Sequence, residues 1–146
     1  MSGPTLNILL TLLTLAVCGF AIFRGGPGER VTGVTIVAVM VLQRFARVAA
    51  PPDFQPTISL VGDGLPALVL LVLTVRYASP WLGAIMFFYA AQFALHSFYI
   101  VMMRRVDVFH FIVNDINLMG IHLCLVLGTV MAWRRRIRIR AAHAAA

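Results

Sequence analysis

The chain contains no lysine, and all twelve of its basic residues are arginine. Without a side-chain amine it can form no Schiff base, so retinal attachment and lysine-based covalent catalysis through this chain are excluded. Cysteine is nearly absent as well. Cys18 and Cys124 both lie inside apolar runs, so no disulfide framework is implied and both read as small packing residues. Leu15-Ala16-Val17-Cys18 is a poor lipoprotein cleavage site, because Val and not a small residue precedes the cysteine and no basic residue precedes the apolar run. The first segment is therefore expected to stay as a helix. No Cys-x-x-Cys, His-Glu-x-x-His, phosphate-binding loop or nucleophile elbow occurs. No catalytic residue and no metal site is assigned on that basis, and an enzyme is not the preferred reading.

What the chain has in quantity is apolar surface. Hydrophobic residues make up 61% and charged residues 12%, and the mean hydropathy is +0.93. A soluble domain of 146 residues has too little interior to hide so much. The fold class expected is all-α, a polytopic membrane helix bundle with five spans, or four as a fallback. The formal charge of +7 is better explained by topology and anionic headgroups than by nucleic acid, because the arginines abut apolar helices.

Crossing the hydrocarbon takes roughly 20 apolar residues. Five segments fit: residues 5–23, 31–50, 57–77, 79–103 and 109–133, within one transmembrane domain over residues 1–140. A basic tail over residues 134–146 follows. Its Arg134, Arg135, Arg136, Arg138 and Arg140 mark a cytoplasmic helix end and are expected to meet lipid headgroups. The alternating Arg136–Arg140 stretch would suit an amphipathic surface helix. With the C-terminus inside, five spans put the N-terminus outside. Arg24, Arg30, Arg76 and the five tail arginines then lie inside with Glu29 alone, while Arg44, Arg47, Arg104 and Arg105 balance Asp53, Asp63, Asp107 and Asp115 outside. Tyr77, Trp81 and Trp133 fall at the inner interface, where amphipathic rings prefer to sit. Arginine-only, alanine-rich usage suggests a GC-rich bacterium and hence the inner membrane.

This orientation gathers polar groups into one outer layer. At about 1.5 Å per residue, Asp63 and Arg44 lie roughly 5 Å outward of the centre, His96 and Asp115 about 8 Å, and Arg47 about 10 Å. Asn114 and Asn117 join them. Ionisable groups at such depth usually face the bundle and pair. The preferred expectation is therefore an ion-pair network of Arg44 or Arg47 with Asp63 or Asp115. The alternative is a water-accessible pocket for an ion, proton or ligand, using Asp63, Asp115, His96, Arg44 and Arg47.

Three local patterns add detail. Gly62-Asp63-Gly64-Leu65-Pro66 predicts a kink in the third helix, or a shorter helix capped by Asp63. Tyr89, Gln92, His96 and Tyr99 form a stripe along one face of the fourth. Gly120, Cys124, Gly128 and Ala132 form a small-residue ridge on the fifth, suited to close helix approach, while Asp115 and His122 lie nearly opposite it. His110 and His143 read as interfacial or solvated. Haem b held by His96 and His122 is disfavoured, because their depths differ by about 10 Å, and no cofactor is expected. The leading functional expectation is a non-catalytic accessory or scaffold subunit of a larger membrane complex or homo-oligomer, packing through the ridge. A proton, ion or small-solute transport component ranks second, and a quinone- or lipid-contacting enzyme subunit third. The partners expected are the lipid bilayer and a protein within the membrane.

Overall fold

The computed structural model describes residues 4–144, and it is all-helical with five helices long and apolar enough to cross a membrane. They are α1 (Pro4–Arg24), α2 (Pro27–Ala49), α3 (Gln55–Tyr77), α4 (Pro80–Val101) and α5 (Val108–Ala144). A single 3-10 turn, Pro52–Phe54, precedes α3. Each helix packs on the next in sequence, and α5 closes the ring by packing on α1. An odd number of alternating helices makes α1 and α5 parallel. The stacking of the Arg24 guanidinium on the Trp133 ring, 5.5 Å from its centroid, joins their matching ends. One end of the bundle thus carries the α1–α2 and α3–α4 turns and the arginine tail. The other carries the 50–54 and 102–107 connections.

The helix ends depart from expectation for local reasons. α2 starts at Pro27 and not at Val31, since proline is favoured in a first helical turn and a glutamate there suits the helix dipole. α5 does not stop at Trp133 but runs on through the arginines for 37 residues in all. No glycine or proline follows Gly128, and arginine, alanine and isoleucine sustain a helix. At about 1.5 Å per residue it is about 55 Å long, well beyond a hydrocarbon core of about 30 Å. α3 is one continuous helix with Pro66 inside it, so Asp63 does not cap a shorter helix. The two-residue α3–α4 turn closes on Ala78, held in the left-handed region at φ 46.

The apolar core occupies the half of the bundle toward the arginine end. Cys18 and Ala21 of α1, Ile36 of α2, Leu70 and Leu73 of α3, Leu82 and Ile85 of α4, and Ile121 and Leu125 of α5 form one buried cluster. The ridge on α5 is filled from within the chain: Phe88 of α4 lies over Gly120 and Trp81 over Gly128. A Cβ at Gly128 would stand 2.5 Å from the Trp81 ring, whereas one at Gly83 would meet only the Thr74 methyl at 3.6 Å. Gly128→Ala is therefore expected to cost about 1–3 kcal/mol through overpacking. Gly83→Ala is expected to be neutral or to gain up to about 1 kcal/mol in helix propensity. Thermal unfolding of both variants in one detergent checks the contrast.

Candidate functional site

The polar residues gather in the opposite half, on the inner faces of α3, α4 and α5. Pro66 has no N–H, so the carbonyl four residues earlier, that of Gly62, loses its helical donor. Beside it, Asp63 is buried at 7% exposure and its carboxylate meets His96 Nδ1 of α4. Gln43 of α2 lies against Gly62, in the space a Cβ would fill, and Phe93 packs on Gly64. The two glycines thus let neighbouring side chains close around the carboxylate.

From His96 the polar groups continue toward the 102–107 connection. The His96 and His110 rings stand 5.0 Å apart between centroids at an interplanar angle of 50°. Tyr99 meets His110 edge-on at 4.9 Å. The Tyr99 hydroxyl donates to Asp107 Oδ1 at 2.5 Å, and the backbone N–H of His110 donates to the same oxygen at 3.0 Å. Asp107 stands directly before α5 and accepts from the third helical residue, which is N-cap geometry. The Tyr99 hydroxyl, the His110 N–H and nearby Arg104 hold the Asp107 carboxyl below the usual carboxylate range. It stays ionised across the range in which imidazoles titrate. His110 itself is buried, and its Nδ1 has no hydrogen-bond partner. His110, expected to be interfacial or solvated, is not solvated: it stands at the bundle end, where the N-cap draws the first turn of α5 inward against α4.

The same faces carry further polar groups deeper down. Gln92 Nε2 donates to Asn114 Oδ1, leaving Gln92 Oε1 and Asn117 Nδ2 buried without partners. Below them His122 Nδ1 donates to the Leu118 carbonyl at 2.7 Å, and its Nε2 lies 2.9 Å from Thr14 Oγ1 of α1. The Thr14 hydroxyl also lies 2.8 Å from the Leu10 carbonyl. It has one proton for two acceptors, so its orientation depends on whether His122 Nε2 carries a proton. From His110 to His122 this ladder descends about 18 Å along α5 at about 1.5 Å per residue. It ends at a layer of Leu70, Leu82, Ile85 and Leu125, all fully buried.

Of the residues expected to share the polar layer, Asp63 and His96 come together. Arg44, Arg47 and Asp115 do not join them, and all three are exposed. The expected network of these arginines with Asp63 or Asp115 does not form. Arg44 donates to Thr11 Oγ1 at 2.8 Å, beside an open groove of Asn7, Ile8 and Leu12, and Arg47 donates to Ser59 Oγ at 3.2 Å. Asp115 and His122 share a helix face, yet His122 is buried against Thr14 of α1 while Asp115 is exposed. The stripe Tyr89, Gln92, His96 and Tyr99 does face the bundle. His122 has protein partners at both ring nitrogens, and His96 faces Asp63 and His110. Among the described residues there is no group of three or more His, Cys, Asp or Glu placed to hold a metal ion.

Chemically, the arrangement can accept and hold a proton, while the His96–His110 and Tyr99–His110 contacts are ring packing and not hydrogen bonds. It offers a buried carboxylate–imidazole pair, a second imidazole in contact with the first, and an ionised carboxylate where the chain leaves the bundle. His110 was missed on sequence, although Asp107 at N-cap spacing ahead of it is a readable signal. Compared with known proteins, the chain matches no family model, no curated protein and no solved structure.

Proposed function

We propose that this chain is a proton-handling component of a membrane transport system, with Asp63 and His96 as the proton-binding pair. Sequence alone favours a scaffold. The geometry favours transport, and one observation carries it: Asp63 and His96 form a buried carboxylate–imidazole pair, and the buried His110 imidazole, its Nδ1 without a partner, packs on His96 toward the bundle end. Intramembrane ionisable groups that face a bundle interior are costly to keep, and proton relays are among the functions that retain them. The Leu70–Leu82–Ile85–Leu125 layer closes the path on the other side, which suits a gated component and not an open pore. In this reading the protein resides in a bacterial inner membrane. The charge partition supports an N-terminus outside and a C-terminus in the cytoplasm, so the relay opens outward.

The test is proton flux into proteoliposomes carrying an internal pH dye under an imposed gradient. Wild-type protein is expected to exceed empty vesicles, and Asp63→Asn to return flux to the empty-vesicle level while remaining folded. Wild-type flux no greater than that of empty vesicles sinks the proposal.

A second reading, as an accessory or self-associating subunit, is favoured by Asp115. It is exposed on α5 about 10 Å from the helix start by helical rise, and Arg44 and Arg47 are exposed on α2 near the same end. A carboxylate on a lipid-facing surface at that depth is costly unless a partner covers it. Loss of assembly with unchanged flux in Asp115→Asn supports that role.

A further inference from the structure

The arginine end holds a second, separate feature. Glu29 of α2 is 8% exposed, yet it makes no hydrogen bond or ion pair among the described residues. Its chain folds back over the α1–α2 turn, where its Oε2 lies 2.6 Å from the position a Cβ on Gly26 would take. Arg136 Nη2 of α5 lies 3.7 Å from that same position, buried and without a partner. Opposite charges thus flank Gly26 without reaching ion-pair distance. Both line a cavity of about 370 Å³ whose walls include Tyr77, Trp81 and Arg135.

Buried charges left unpaired are expensive, and a bare pair would be expected to close up. A cavity holding a lone carboxylate on one side, guanidinium groups on another and two aromatic rings suits a ligand bearing both signs. We infer that this cavity binds a zwitterionic ammonium–phosphate group, as carried by an ethanolamine phospholipid of the leaflet at the arginine end. The phosphate accepts from Arg136 and Arg135, which match phosphate oxygens with several N–H donors. The primary ammonium donates to Glu29, and Tyr77 and Trp81 line the same cavity. A choline headgroup has no N–H to give Glu29, and a glycerol headgroup has no cation. The site therefore ranks ethanolamine lipid above both.

The experiment is native mass spectrometry of the detergent-solubilised chain titrated with phosphatidylethanolamine, phosphatidylcholine, phosphatidylglycerol and soluble phosphoethanolamine. Ethanolamine lipid is expected to bind roughly tenfold more tightly than choline or glycerol lipid, the worth of one charged hydrogen bond. Glu29→Gln is expected to erase that preference while phosphate binding persists, and Arg136→Gln to weaken all of the lipids. Gly26 has an extended backbone, with φ −74 and ψ −174, so Gly26→Ala adds a methyl group in the cradle without backbone strain. It is expected to reproduce the Glu29→Gln result should that variant fold poorly. Equal binding of the three lipids, or an ethanolamine preference that survives both Glu29→Gln and Gly26→Ala, overturns the inference. Soluble phosphoethanolamine binding as tightly as the lipid overturns the lipid source and assigns the site to a free ligand of the same chemistry.

Discussion

His96→Phe is expected to be the most damaging single change in the polar half of the bundle. It leaves the Asp63 carboxylate buried with no cation or donor from α4, and removing one member of a buried pair costs about 3–5 kcal/mol. The side chains of His96 and Asp63 are only 15% and 10% exposed, so solvent does little to soften that loss. Removing both partners is a different matter. His96→Phe combined with Asp63→Leu leaves no orphaned charge and is expected to recover most of the stability, since an apolar replacement for a whole buried pair is close to neutral. Thermal unfolding of the two single variants and the double in one detergent reads the coupling. Strict additivity would mean that the two side chains do not depend on each other.

The second large effect is expected at Leu125, in the layer that closes the polar ladder. Leu125 is fully buried, and it packs with Leu70, Leu82 and Ile85 about one helical turn from His122. Leu125→Ala is expected to cost about 2–5 kcal/mol, from lost transfer energy plus the cavity it leaves. The cavity would also shorten the dry stretch between His122 and the arginine end, so proton flux in proteoliposomes is expected to rise above wild type. Leu127, two residues on and 52% exposed, supplies the control. Leu127→Ala is expected to stay within about 0.5 kcal/mol in detergent and to leave flux unchanged. A Leu125→Ala protein that is destabilised but no leakier would place the barrier elsewhere.

Much of the architecture is legible in the sequence, because crossing a membrane demands long apolar segments and the five runs are separated by turn residues or charge. The residues that escape this reading do so for physical reasons. Hydropathy locates a span but not the end of a helix, so α5 continues through Arg134–Arg140 where the apolar run has stopped. Depth along the membrane normal is also legible, and it places Asp63 and His96 at nearby levels. Direction around the helix axis is not legible from depth, so Arg44, Arg47 and Asp115 share a level with the site while facing away from it. Even a shared face is insufficient: Asp115 and His122 lie on one stripe of α5, but only His122 is buried. His110 requires reading Asp107 as an N-cap, a local signal easily lost beside Arg104 and Arg105. Glu29 stands out only as the one acid at the arginine end, and its unpaired burial is a property of the folded turn.

The most direct test of the account is infrared difference spectroscopy of reconstituted protein across an external pH step, read at the carboxylic-acid C=O stretch. A protonatable Asp63 predicts a carboxyl band that appears as external pH falls, disappears in Asp63→Asn and persists in Asp115→Asn. A band that survives Asp63→Asn, or no band in the wild-type protein, would contradict it.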